Sequence, residues 1–233
     1  MTGDDLTRTL VQATPVEVLR QFRPPRAAIV LPLVRALFGD LRGLRVLEIG
    51  SGEPLLLAKA LLAEGAIVTA IDPALSDPRV DAGGIQVIAR DVFDLDPHTL
   101  GPFDLTMSTL LFGAPLRQRA RRAMWPAYRS GSKPSEDEVL EVLGHIEGEL
   151  ISRAAAWTRP GGWTLHLSLE RLFAAPVATW EHAGWDVVVA PRGEEQPATD
   201  DAVGLARWVL AGMLIARRAS SGSGMGRLQI TRK

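Results

Sequence analysis

Short apolar runs alternate with longer amphipathic stretches through the middle of the chain, and each short run stops on polar residues. Val46, Leu47 and Ile49 flank Glu48 and lead into Gly50-Ser51-Gly52. Residues 66–71 stop at Asp72-Pro73, residues 85–89 at Arg90-Asp91, and residues 103–107 at Ser108-Thr109. Runs of this length, bounded by turn residues, read as buried strands. Between the first two, residues 54–64 carry Leu55, Leu56, Ala58 and Leu62 and end at Gly65, a helix with its stop signal. Ser135-Glu136-Asp137-Glu138 reads as a capping box. It opens a long helix in which Val139, Val142, Leu143, Ile146, Leu150, Ala154 and Trp157 keep a period of about 3.6. Pro160-Gly161-Gly162 is expected to stop that helix, with strands at 163–169 and 185–190 and a short helix near 175–183 between them. Strands alternating with helices predict an α/β fold: a Rossmann-like, seven-stranded, mostly parallel sheet with helices on both faces.

The two ends of the chain are less regular. Thr14-Pro15-Val16-Glu17 reads as a capping box with proline at the first helical position, the helix breaking near Arg23-Pro24-Pro25. A further helix is expected over 27–38. Residues 1–40 therefore read as a helical extension or lid, and 41–233 as the main domain. At the far end, 200–218 reads as one capped helix followed by a last strand at 227–231. The competing reading places the last strand at 213–217. Residues 110–134 form an unusually long stretch between strand four and its helix, and stretches of that length are usually functional. This one holds Arg117, Arg119, Arg121, Arg122, Trp125, Tyr128 and Arg129. It reads either as a lid that walls an organic substrate or as a solvated basic helix.

Composition narrows the field. A chain of 233 residues with 46% hydrophobic content can bury one good core. A net charge of -1 provides no global field for nucleic acid or anionic lipid. Cysteine is absent, which excludes disulfides and thiolate chemistry. No apolar run reaches the ~18 residues of a membrane span, and the first residues lack the pattern of a secretory signal. The expectation is a soluble cytoplasmic protein, with a homodimer left open.

The glycine turn carries the chemistry. A dinucleotide fold wants Gly-x-Gly-x-x-Gly so that a pyrophosphate can rest on the helix N-terminus. Here Leu55 stands at the third glycine position and Glu53 adds negative charge. Both oppose a phosphate, and no Gly-Lys-Ser/Thr loop follows. The turn suits a ligand without phosphate that carries positive charge. With Val46-Leu47-Glu48-Ile49-Gly50-Ser51-Gly52, the chain resembles the class I S-adenosylmethionine-dependent methyltransferases over about residues 44–170. Many members carry a third glycine where this chain has Pro54.

The resemblance implies that S-adenosyl-L-methionine is the cofactor. Glu48 and the Gly50, Ser51 and Gly52 backbone would hold its methionine end. Asp72, followed by Pro73, would take the ribose hydroxyls, and a carboxylate suits a diol because it accepts two hydrogen bonds. Asp91 would accept from the adenine amino group, and Val92 would offer its amide and an apolar wall. Ser108, at the end of strand four, completes the set.

A sulfonium methyl is already activated, so the protein has mainly to align an acceptor and exclude water. A base is needed only for an acceptor that arrives protonated. His166, His145 and Tyr128 are the candidates. His166 is either a hydrogen-bonded core residue or that base. His145 sits on the polar side of the long helix, whereas His98 and His182 read as surface and capping residues. No His/Asp/Glu spacing suggests a metal. Ser108-Thr109-Leu110-Leu111 lacks the Asn/Asp-Pro-Pro-Tyr/Phe clamp used on exocyclic nitrogens. Methyl transfer to O, N or C of a small molecule is the leading expectation, and nucleic acid is disfavoured. The alternative is a cofactor-binding enzyme that cyclises S-adenosylmethionine, transfers its aminocarboxypropyl arm or assists a rearrangement. A non-catalytic relative would have little reason to keep Glu48, Asp72 and Asp91.

Overall fold

A computed structural model describes residues 1–21, 25–75, 83–109, 111–131, 133–168, 173–192, 196–197 and 201–220. Seven strands form one sheet: β1 (Arg45–Ile49), β2 (Ile67–Ile71), β3 (Gln86–Ile88), β4 (Phe103–Thr109), β5 (Thr158–Leu167), β6 (Trp185–Val189) and β7 (Met213–Arg218). Their order is β3-β2-β1-β4-β5-β7-β6. The first five run parallel, and β7 is antiparallel to both β5 and β6. This is the expected seven-stranded, mostly parallel α/β sheet. The chain leaves β1 toward β2 and later returns to β1's other side as β4. The crevice above their carboxyl ends is where ligands bind in open α/β sheets.

Both faces of β1 are buried because helices cover the sheet on each side. Val46 packs with α1 (Gly3–Ala13), α3 (Arg26–Phe38), α4 (Leu56–Ala63) and α9 (Ala202–Leu210). Leu47 and Ile49 face the opposite cluster, built on α5 (Ala114–Ala123), α7 (Glu136–Trp157) and α8 (Val177–His182). The capping box at Ser135 is present, with Glu138 closing it.

Four sequence expectations are corrected. Thr14 is not an N-cap: it is the C-cap of α1, its hydroxyl donates to the Ala28 carbonyl, and Pro15 is the N-cap of the single turn α2 (Val16–Leu19). The longer α1 precedes it, with Thr2 and Asp5 forming the capping box. Residues 1–40 are largely not a lid either. Leu6, Leu10, Leu19, Ile29 and Leu33 are wholly buried in the main core. Residues 200–218 are not one helix: α9 ends at Leu210 and β7 follows, as in the competing reading of a strand at 213–217, while 227–231 lies outside the described residues. The apolar run 203–216 is a helix followed by a fully buried strand, and hydrophobicity alone does not separate the two. Finally, Pro160-Gly161-Gly162 lies within β5, which starts directly after α7.

That last feature is a bulge. Phe103 pairs with Thr158, but Leu105 pairs with Trp163, so extra residues loop out of β5. Gly162 is the tight point. A Cβ there would meet the Asp104 carbonyl oxygen and Thr158 Cγ2, both at 2.8 Å. Gly162→Ala is expected to destabilise the protein by about 2 kcal/mol in urea denaturation. A loss under about 0.5 kcal/mol would mean that the bulge yields freely.

Candidate functional site

The turn after β1 uses left-handed backbone at Gly50 (φ 73°) and Gly52 (φ 62°), conformations that glycine adopts without penalty. Leu55, just before α4, adopts the same region at φ 60° despite its side chain. Such a residue costs roughly 1–2 kcal/mol and marks a turn held by its surroundings. One brace is the Gly50 amide, which donates to the Ile71 carbonyl at 2.7 Å. The other is Asp72. Its Oδ2 accepts from the Gly52 amide and its Oδ1 from the Ala74 amide, each at 2.8 Å. One carboxylate thus locks the β1 and β2 turns together.

Glu48 lies behind this turn. It is completely buried, and neither carboxylate oxygen makes a well-aligned hydrogen bond, although the Ser51 hydroxyl and the Ala58 amide lie near enough to favour its charged form. The Ser51 hydroxyl donates to the Glu48 backbone carbonyl instead. Burial pushes the Glu48 carboxyl up to about 7, against the pull of the Arg26 guanidinium.

At the end of β3, Asp91 caps a short 3-10 turn (Val92–Asp94) by accepting from the Phe93 amide at 3.0 Å. Its other oxygen accepts from Arg119 Nη1 of α5 at 2.5 Å. The same guanidinium lies 4.1 Å from the centre of the Phe93 ring.

Gly50, Asp72, Pro73, Asp91 and Val92 line one cavity of about 680 Å³. The structure therefore brings five of the expected binding residues around a single cavity. Glu48, Ser51, Gly52 and Ser108 do not line it. Arg26, Thr109 and Arg119 line it without having been singled out as binding residues. Arg26 donates to Thr109 Oγ1 at 3.2 Å across 83 residues of sequence, a pairing with no local signature.

The catalytic candidates lie elsewhere. His166 is fully buried in β5 between Ser108 and Thr164, with contacts of 2.8 Å at Nδ1 and 2.6 Å at Nε2. Thr164 donates its hydroxyl proton to the Thr106 carbonyl. It must therefore accept from Nε2–H, which leaves Nδ1 to accept from Ser108. Burial pushes the imidazole down to about 3. Phe112 and Trp180 pack against it at centroid distances of 4.8 and 5.2 Å, and against each other at 5.9 Å. These are the surroundings of a neutral core residue, not of a base. His145 is exposed on α7 and bonds the Glu141 carbonyl of its own helix. Tyr128 belongs to α6 (Trp125–Arg129), and its side chain lies outside the described residues. Trp125 is exposed on α6 and does not line the cavity. The 110–134 stretch is thus helical over α5 and α6, and α5 supplies the cavity wall. Among the described residues no cluster of three or more His, Asp or Glu could hold a metal, and no helix is long and apolar enough to cross a membrane.

A second buried acid, Glu147 of α7, ties down the segment after β5. Its Oε2 accepts from the Ala175 amide at 2.7 Å, and burial pushes it up to about 7.

No protein-family model matches the sequence, and no curated protein matches it. Solved structures do align with it. An S-adenosylmethionine-dependent methyltransferase from Mesorhizobium loti is 17% identical, over 82% of this chain and 98% of that one, with a TM-score of 0.47. The 1,6-didemethyltoxoflavin-N1-methyltransferase of Burkholderia thailandensis is 17% identical, over 93% and 87% of the two chains, with a TM-score of 0.46. A 16S rRNA (adenine(1408)-N(1))-methyltransferase from Catenulisporales acidiphilia is 15% identical, over 82% and 92%, with a TM-score of 0.43.

The buried acids set a pH dependence of stability. Glu48 and Glu147, ordinarily at 4.5, hold their protons up to about 7 when folded. Their stabilisation is full below 4.5 and lost as pH rises through 7. His166 opposes them, because unfolding lets it protonate below its ordinary 6.5. The two carboxyls outweigh one imidazole down to about pH 5. Urea denaturation is expected to show the protein about 2 kcal/mol more stable near pH 5.5 than near pH 8. Glu147→Gln should remove most of that gain; an unchanged gain would contradict the assignment of Glu147.

Proposed function

We propose that the chain binds S-adenosyl-L-methionine along the carboxyl ends of β1, β2 and β3, and transfers its methyl group to O, N or C of a small molecule. The observation that carries this reading is the convergence of the Gly50 turn, Asp72, Asp91 and Val92 on one cavity. The donor set fits the cofactor piece by piece. Asp72 accepts one amide hydrogen bond on each oxygen, which leaves lone pairs free for a diol. Asp91 and the Val92 backbone suit an adenine edge. Glu48, buried beneath the turn, would ionise beside an ammonium group lying there and so supply the opposing charge. The cavity volume falls within the range of small-molecule sites.

When bound, the cofactor supplies an electrophilic methyl group on a sulfonium. This chain's residues bind, orient and exclude water. Arg26, held by Thr109 at the end of β4, places a guanidinium at the methionine end and can pair with a carboxylate there. Among the described residues no histidine lines the cavity. Alignment rather than proton abstraction is therefore the protein's contribution to the methyl-transfer step.

Calorimetry with S-adenosylhomocysteine is expected to show binding that Asp72→Ala weakens by at least about tenfold. Undiminished affinity in a folded variant would contradict the assignment. Binding should also release a proton. A cation near Glu48 favours its ionised form, so affinity should rise as pH increases from about 5.5 to 8; a flat profile would remove Glu48 from the site. Mass spectrometry of the reaction separates the two chemistries. S-adenosylhomocysteine with a methylated acceptor supports methyl transfer, and methylthioadenosine would instead mean attack on the amino-acid arm.

A further inference from the structure

We infer that Arg119 determines cofactor affinity by competing with adenine for Asp91, an inference that rests on the cofactor reading above. Both oxygens of Asp91 are engaged. Oδ1 takes the Phe93 amide and Oδ2 takes Arg119 Nη1. The guanidinium also lies over the Phe93 ring, 4.1 Å from its centre. One side chain thus covers the carboxylate that would accept from an adenine amino group and the aromatic surface next to it. A ring entering beside Val92 has to displace it.

The geometry makes Arg119 the moving part and α5 the fixed one. Leu116 and Ala120 of α5 are buried in the core. That burial, not the surface ion pairs, holds the helix: Arg117–Glu136 is 27% and 54% exposed and Arg119–Asp91 is 40% and 34% exposed. Exposed ion pairs are weak and screened by salt, as a displaceable contact requires. The position of α5 also revises the lid expectation for 110–134. The helix reaches the β3 end of the crevice, where it meets the adenine face, and its lid function is exerted on the cofactor.

The test uses adenosine, which is uncharged and lacks the methionine arm, alongside S-adenosylhomocysteine. Calorimetry compares the wild-type protein with Arg119→Ala and Arg119→Gln, whose folding is checked by thermal melting. Loss of the ion pair and the ring contact is expected to tighten binding of both ligands by about threefold to tenfold. Raising salt to about 0.5 M should tighten adenosine binding to the wild type by weakening the competing pair, and should leave the variants unchanged. Equal or weaker binding in both variants overturns the inference; weaker binding would make Arg119 a ligand contact instead. Detectable wild-type binding that neither variant improves defeats this inference alone. Absence of binding in every folded protein defeats the cofactor reading and this inference with it.

Discussion

The Asp72 carboxylate is the joint on which the crevice depends. It accepts from Gly52 in the turn after β1 and from Ala74 in the turn after β2, so it fixes two loops that share no sequence neighbourhood. The Gly50–Ile71 backbone bond closes the same seam. With both turns held, the left-handed residues Gly50, Gly52 and Leu55 have one conformation to adopt, and α4 starts from a defined place. The brace spends one lone pair on each carboxylate oxygen and leaves capacity facing the cavity. Structural support and the proposed ligand recognition therefore fall to one side chain.

Charge around this joint is arranged in depth. Glu48 is buried behind the turn, raised to about 7 because its charged form lacks solvation. Arg26 arrives from the start of α3 and is steadied by Thr109 at the end of β4. Arg119 arrives from α5 and sits on Asp91. Acids thus come from the strand ends, and bases come from helices that cover them. On the proposed reading, a ligand would exchange the Arg119–Asp91 pairing for its own, which keeps the cost of leaving that carboxylate unpaired low.

Much of the fold was legible because strand ends carry local signals. Glu48-Ile49-Gly50-Ser51-Gly52, Asp72 and Asp91 each follow a short apolar run, and the sheet order puts those ends side by side. What was not legible depends on long-range packing. The run 203–216 divides into α9 and β7 because β5 and β6 offer an antiparallel slot, and the run alone does not choose between one helix and a strand at 213–217. His166 looks catalytic by residue type. Its role as a neutral core residue follows from Ser108 and Thr164, which only the β4–β5 register places beside it. The arginines of α5 look alike in sequence, whereas the structure sends Arg117 to Glu136 and Arg119 to Asp91. Residues 1–40 read as a lid because their burial against α4 and α9 depends on elements far along the chain.

A crystal structure of the protein with S-adenosylhomocysteine tests the central claim most directly. Ligand density is expected along the ends of β1, β2 and β3, with the ribose hydroxyls on Asp72, the adenine amino group on Asp91 and the amino-acid end over the Gly50 turn. Ligand density elsewhere, or an Asp72 carboxylate bonded only to the Gly52 and Ala74 amides at saturating ligand, would contradict it.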